Sequence, residues 1–318
     1  MKVFITRKIP DIAIKLLAKN GIDIIVNNND KPVSRKDLIK YSADADGIIS
    51  MLSDKFDLQM IKKLKKCRII ANYAVGFNNI DLEAVKEKNI VATNTPDILT
   101  NATADLAMAL VLSCARNVIK GHSLVKKNGF KGWSPEMLLG VELEGKTFGI
   151  IGAGRIGSAV AARAKNFGTK IIYFNKSRKP QLEKSTGAIK TPLNQLLKTS
   201  DIISVHLPLN ERTYYIINKE KLKLMKEGVI FINTARGEIV DEQELISILK
   251  QGKIFSAGFD VYENEPHLNP ELFNLPNVVL LPHLGSATFE ARKGMAELAA
   301  KNVINVLNGR KPLTQVFY

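Results

Sequence analysis

Cysteine is almost absent from this chain: its 318 residues include two, Cys67 and Cys114. Neither is spaced from a histidine or the other cysteine as a metal site requires. No disulfide scaffold and no metal centre is therefore expected, and the pair reads as structural thiols in a reducing compartment. Tryptophan occurs once, at Trp133. No stretch approaches about 18 uncharged apolar residues, which argues against a membrane span. The apolar part of MKVFITRKIP is too short for a signal peptide, so a cytoplasmic protein is expected. Acidic residues are in deficit: 31 Asp and Glu against 46 Lys and Arg leave a net charge of +15. The lysines are dispersed over polar helix faces, as in Glu83 to Lys88 and Lys219 to Lys226, and no basic run is interleaved with stacking aromatics. The excess reads as a lysine-rich background or a field attracting small anions, not as a nucleic-acid surface. Internal repeats and low-complexity tracts are lacking too.

What is present is the composition of a folded globular protein, 45% hydrophobic and 24% charged, long enough for two ordinary domains. Strand and helix patterns alternate, which implies parallel sheets. In the first part, strands are predicted at Lys2–Thr6, Ile22–Val26, Gly47–Ser50, Arg68–Asn72 and Ile90–Thr93. Helices are predicted at Asp11–Lys19, Ser34–Tyr41 with Ser34 as N-cap, Asp57–Lys65 and from Asp81. Asn94-Thr-Pro96 is a natural break. One long helix is then expected from Asn101 to about Asn128, followed by an irregular apolar arm around Trp133. A second unit follows, with strands at Lys170–Phe174, Ile202–His206, Val229–Asn233, Ser256–Asp260 and Val278–Leu281. Helices are expected near Leu193–Leu197 and at Leu245–Lys250, and a terminal helix, Phe289–Asn308, leads back to the first unit. The expected domains are 1–98 with 289–318, and 99–288.

The second unit begins with FGIIGAGRIG, Phe148 to Gly157: an apolar strand, a glycine turn and an amphipathic helix. Gly152 allows the turn, Gly154 lets a pyrophosphate approach the backbone, and Gly157 lets helix and strand pack closely. The helix N-terminus at Arg155 and Ile156 then faces the phosphates. A dinucleotide site is expected. At the tip of the next strand, where a carboxylate would bind a free ribose 2′-hydroxyl, stand Asn175, Lys176, Ser177 and Arg178. Lys, Ser and Arg suit a 2′-phosphate instead, so NADPH is expected over NADH, with NADH still possible. Three further strand ends carry Thr234-Ala235-Arg236-Gly237, Asp260 with Glu265, and His283 to Ser286. Arg236 can grip a carboxylate, His283 can transfer the proton that accompanies a hydride, and Glu265 can orient His283.

Together these motifs resemble the D-isomer-specific 2-hydroxyacid dehydrogenases, in particular their glyoxylate/hydroxypyruvate reductase branch. The matching pieces are NYAVGFNNID (72–81), TNATADLAMAL (100–110), GWSPEMLLG (132–140), GKTFGIIGAGRIG (145–157), SVHLPLNERT (204–213), FINTARGEIVDEQEL (231–245), AGFDVYENEP (257–266) and LLPHLGSAT (280–288). The resemblance implies a flavodoxin-like substrate domain and a Rossmann cofactor domain, both doubly wound α/β, with a cleft closing about hinges near Leu99 and Ala287. It implies a small anionic 2-oxo acid as substrate and a homodimer, which suits the Trp133 arm. It also implies that Arg236, Glu265 and His283 are catalytic, and that Val75, Gly76 and Ser286 help hold the substrate. Thr103, His206, Leu207, Pro208, Thr213, Thr234, Ala235 and Asp260 would line the cofactor. Asn78 departs from the Asp common in the family, with a local structural effect expected. Leu52, Trp133 and Phe289 are candidate pocket walls. Two other readings stay open. One is an NAD-dependent relative acting on phosphoglycerate or D-lactate, although no C-terminal regulatory domain of the phosphoglycerate type is expected. The other is a nucleotide-sensing, corepressor-like protein without turnover.

Overall fold

The computed structural model of the protein describes residues 1–316. Its chain falls into two compact units, Met1–Leu99 with Ala287–Tyr318, and Thr100–Ser286; Phe317 and Tyr318 lie outside the described residues.

The first unit runs β1 (Lys2–Ile5), α1 (Ile12–Lys19), β2 (Asp23–Val26), α2 (Arg35–Ser42), β3 (Gly47–Ser50), α3 (Leu58–Lys63), β4 (Ile69–Asn72), α4 (Leu82–Glu87) and β5 (Val91–Thr93). All strand pairs are parallel, in the order β2-β1-β3-β4-β5. This is the flavodoxin-like order, with its switch point between β1 and β3. Every residue of β3 and β4 is buried, as expected for central parallel strands covered on both faces. Helix starts follow local capping chemistry: the side chains of Ser34, Asp57 and Asp81 each accept a hydrogen bond from the backbone N–H three residues on.

The second unit opens with α5 (Thr100–Ala115) and α6 (Val118–Lys126). The single helix expected from Asn101 to about Asn128 is instead two. The two helices meet at a 67° bend because Asn117 adopts a left-handed backbone, φ +51°. Asn117 Nδ2 then donates to the carbonyl of Leu139 at 2.9 Å, so the break also anchors the following arm. Asparagine tolerates this conformation better than most residues. No single helix among the described residues is long and apolar enough to cross a membrane.

The unit continues with β6 (Thr147–Ile151), α7 (Arg155–Asn166), β7 (Lys170–Phe174), α8 (Pro180–Thr186), β8 (Ile189–Lys190), α9 (Leu193–Thr199), β9 (Ile202–Val205), α10 (Lys219–Lys223), β10 (Val229–Asn233), α11 (Glu242–Lys250), β11 (Ile254–Phe259) and β12 (Val278–Leu280). Seven parallel strands are ordered β12-β11-β10-β9-β6-β7-β8, so β6 lies at the reversal of strand order. Alternate residues feed two cores, one on each face of the sheet. Phe148, Ile150, Ile202 and Ile230 pack in one, and Ile151, Ile203, Val205 and Phe231 in the other. The sequence reading passes over α8 and β8. Helix α11 begins earlier than expected, at Glu242, because the Asp241 side chain caps it through Glu244 N–H.

Finally, α12 (Phe289–Leu307) packs in the first unit. Arg68 caps its C-terminus, donating to the carbonyls of Val306 and Leu307 at 2.8 and 2.9 Å.

Candidate active site

In the second unit the site is built on strand ends. The glycine turn after β6 is shaped by contact as well as by conformation. Gly152 has φ +101°, and a Cβ there would lie 2.7 Å from the backbone carbon of His206. A Cβ on Gly157 would come 2.1 Å from the Gly152 carbonyl oxygen. A Cβ on Gly154, by contrast, would meet nothing within 4 Å. Two glycines therefore seal the turn and the middle one leaves open space at the start of α7, where no side chain caps the helix. That cradle fits a dinucleotide's pyrophosphate, with its negative charge at the positive end of a 12-residue helix.

Beyond the turn, His206 directly follows β9. Its Nε2 lies 2.8 Å from Ser204 Oγ and its Nδ1 lies 3.5 Å from Thr234 Oγ1. Burial pushes this imidazole from 6.5 down to about 3. Between those values the unfolded chain binds the proton and the folded one does not. The stability His206 contributes is therefore complete above about pH 6.5 and is lost as the pH falls toward 3. Thermal melts of wild type and His206→Gln between neutral and acid pH check this. The wild type is expected to lose more stability across that window, and parallel curves would show that His206 is not held neutral. Leu207 and Pro208 follow in a loop that Thr213 closes, its hydroxyl donating to the Pro208 carbonyl at 2.6 Å.

At the end of β7 the loop carries Asn175, Lys176, Ser177 and Arg178. Asn175 Nδ2 donates to the Ser177 carbonyl at 3.1 Å, and Lys190 Nζ donates to the Lys176 carbonyl at 3.3 Å. The sequence reading placed no carboxylate at this tip. One does reach it: Glu183, entering from α8, pairs with Arg178 at 2.5 Å.

The three remaining strand ends converge. After β10, the side chain of Asn233 accepts from Ala235 N–H at 3.0 Å and donates to the Arg236 carbonyl at 2.9 Å. Burial pushes the Arg236 guanidinium below its usual range, and the charges of Glu265 and Glu238 offset this only in part. The next residue, Gly237, lies against the turn after β11: a Cβ on it would be 2.0 Å from the Tyr262 carbonyl carbon and 2.2 Å from Glu263 N. Glu265 closes that turn by accepting from Tyr262 N–H at 2.9 Å, and its other oxygen lies 2.8 Å from His283 Nδ1. Burial opposes the charge on Glu265, but His283, the Tyr262 N–H and Arg236 outweigh it and hold the carboxyl below its usual range. An ionised carboxylate only accepts, so His283 Nδ1 carries the hydrogen and Nε2 is left as the outward, exchangeable position.

His283 itself has a left-handed backbone, φ +57°. Asp260, buried at the end of β11, holds this turn, accepting from Leu284 N–H at 2.6 Å and Gly285 N–H at 2.8 Å. Burial pushes the Asp260 carboxyl up. Thr103 on α5 donates to the Gly285 carbonyl at 2.8 Å. Asp260 and Thr103, expected beside the cofactor, thus bond the backbone of the loop that runs from His283 to Ser286.

In the first unit, Val75 and Gly76 follow β4. The Ala74 carbonyl accepts from Thr95 N–H at 2.8 Å and the Val75 carbonyl from Asn94 Nδ2 at 2.8 Å. In a trans peptide the N–H points opposite the carbonyl, so the N–H groups of Val75 and Gly76 are both aimed by these bonds. Asn72 Nδ2 holds the Gly76 carbonyl at 2.7 Å. Asn72, Asn94 and Asn233 were missed by sequence reasoning. Their shared signal is an asparagine at or just past a strand's C-terminal end. Leu52 is partly buried, whereas Trp133 and Phe289 are 80% and 93% exposed. Among the described residues no His, Cys, Asp and Glu cluster could hold a metal ion.

Residues 108–285 match the family described as D-isomer specific 2-hydroxyacid dehydrogenase, NAD binding domain. The glyoxylate reductase of Pyrococcus horikoshii is 48% identical over 319 residues, which span 99% of this chain and 95% of that protein. A crystal structure of a glyoxylate reductase from Paecilomyes thermophila is similar with a TM-score of 0.88 and 33% identity, covering 99% of this chain and 98% of that one. The NADPH-dependent glyoxylate/hydroxypyruvate reductase of Sinorhizobium meliloti, solved with NADP and malonate, is similar with a TM-score of 0.86 and 29% identity, covering 99% and 96%.

Proposed function

The chain belongs to the D-isomer-specific 2-hydroxyacid dehydrogenase family, on its glyoxylate reductase branch, and from that membership we propose that it reduces small 2-oxo acids of the glyoxylate and hydroxypyruvate type to D-2-hydroxy acids, with NADPH as the preferred reductant. The observation that carries this reading is the hydrogen bond of His283 Nδ1 to Glu265, with Arg236 on the turn packed against the Glu265 turn.

The bound nicotinamide supplies the hydride. Gly152, Gly154, Gly157 and the α7 N-terminus would hold the pyrophosphate, and Asn175 to Arg178 the adenosine ribose. Thr103, His206 to Pro208, Thr213, Thr234, Ala235 and Asp260 would line the rest of the dinucleotide. The Arg236 guanidinium, with Ser286, would hold the substrate carboxylate and polarise the 2-oxo group, and the family resemblance assigns the Val75 and Gly76 N–H groups to the same carboxylate. Protonated His283 donates from Nε2 to the carbonyl oxygen, and Glu265 stabilises the charge on the ring and keeps Nδ1 protonated. Asp260 sets the direction of the imidazole by holding the amides that follow it.

A homodimer in the cytoplasm completes the proposal. Helix α6 has no buried residue, and Phe130, Trp133 and Leu139 are exposed on the arm beyond it. Such an apolar surface is what a second copy would cover. Cys67 and Cys114 are free and buried, as suits a reducing compartment.

Steady-state oxidation of NADPH and NADH with glyoxylate, hydroxypyruvate and pyruvate tests the reading. Turnover is expected with the first two acids, and a higher kcat/KM with NADPH. Tight cofactor binding without turnover of any 2-oxo acid would replace it with a nucleotide sensor.

A further inference from the structure

The tip of β7 holds a three-residue relay. Tyr173 is fully buried on that strand, and its hydroxyl donates to Glu183 Oε1 at 2.5 Å while accepting from Lys179 N–H at 2.8 Å. Glu183 is largely covered, its side chain 16% exposed, whereas that of Arg178 is 73% exposed. Arg178 meets the carboxylate edge-on, Nε to Oε1 at 3.2 Å and Nη2 to Oε2 at 2.5 Å. The Arg178 guanidinium and the Tyr173 hydroxyl together hold the Glu183 carboxyl down at about 2, so it is charged at any working pH.

A long surface arginine normally samples many rotamers and loses that freedom when it binds an anion. Here the freedom is already lost. The buried Tyr173 ring fixes Glu183, Glu183 fixes the Nε–Nη2 edge of Arg178, and the exposed Nη1 edge is left for a ligand. The same carboxylate repels a phosphate, but from behind the guanidinium, on whose exposed side water and salt weaken that repulsion.

We propose that Glu183, anchored by Tyr173, is the positioning residue that orients Arg178 toward the 2′-phosphate and thereby sets the preference for NADPH over NADH. The inference rests on the NADPH reading above and supplies what the exposed loop alone lacks, a fixed guanidinium.

Calorimetry with adenosine 2′,5′-bisphosphate and AMP isolates the 2′-phosphate from the reaction. Wild type is expected to bind the bisphosphate more tightly. Glu183→Gln is expected to weaken the bisphosphate by about three- to tenfold, the ordering cost of one long side chain, and to leave AMP unaffected. Tyr173→Phe is expected to move in the same direction by less, and keeps a test in hand should Glu183→Gln fail to fold. Arg178→Ala combined with Glu183→Gln is expected to lose no more than Arg178→Ala alone, because the two act as one unit. Equal weakening of both ligands in the single variants would reduce Glu183 to a structural role and overturn the proposal. So would tighter bisphosphate binding in Glu183→Gln, since the carboxylate would then act only by repulsion. A wild type without preference for the bisphosphate would overturn the NADPH reading itself, and this inference with it.

Discussion

Replacement of His283 by asparagine is expected to lower kcat for 2-oxo acid reduction by about 10²- to 10⁴-fold, the usual worth of a positioned general acid. NADPH binding and the melting temperature should change little. Asparagine is the informative substitution because position 283 has φ +57°, a conformation it tolerates and alanine or a branched residue does not. The magnitudes separate the outcomes. The lost rate corresponds to about 3–5 kcal/mol of transition-state stabilisation. The His283–Glu265 pair is about one-third exposed on each side, and such pairs contribute about 1 kcal/mol or less to folding. Turnover should therefore collapse in a protein that still folds and still binds cofactor. Stopped-flow single turnovers together with nicotinamide fluorescence titration separate the two. Parallel loss of binding and turnover would remove His283 from the role of proton donor.

Gly237→Ala is the second large effect, and it involves no reactive group. The added methyl would lie 2.0 Å from Tyr262 C, 2.2 Å from Glu263 N and 2.3 Å from Tyr262 O, so the turns after β10 and β11 must part. Arg236 rides on one of them. Glu265 rides on the other, through its bond to Tyr262 N–H, and His283 follows Glu265. Overpacking of this kind costs about 1–3 kcal/mol of stability, which a domain of this size can absorb. Misplacement of reacting groups by about 1 Å costs on the order of 10²-fold in rate. The expected result is a folded variant with kcat reduced at least about 10²-fold. Adenine-nucleotide binding at the separate turn after β6 should be largely retained. Activity within a few-fold of wild type would mean that the two turns are not held in contact as described.

Much of this architecture is legible without coordinates. Uninterrupted apolar runs such as Gly47–Ser50 and Val229–Asn233 announce buried parallel strands, and Ser34, Asp57 and Asp81 mark helix starts by side-chain chemistry that acts within one turn. What escaped has equally local causes. Helix α8 is short and its neighbour β8 has two residues, both exposed, so neither presents an apolar period to read. The bend at Asn117 hides because α5 and α6 share helical composition on either side, and one left-handed residue leaves no periodicity signal.

The sequence by itself determined the strand–helix alternation, the glycine turn and the identities of Arg236, Glu265 and His283, because each depends on residue type and near neighbours along the chain. The tertiary structure alone decided what several polar groups do. It committed Asp260 and Thr103 to the amides and carbonyl beyond His283, 24 or more residues away. It delivered the Glu183 carboxylate to Arg178 and pressed Gly237 against Tyr262. The Glu183–Arg178 pair spans five residues and depends on how α8 leaves the strand tip; the others are hydrogen bonds or close approaches between segments far apart in sequence. Such contacts depend on where the strands end in space, and no composition or spacing records that.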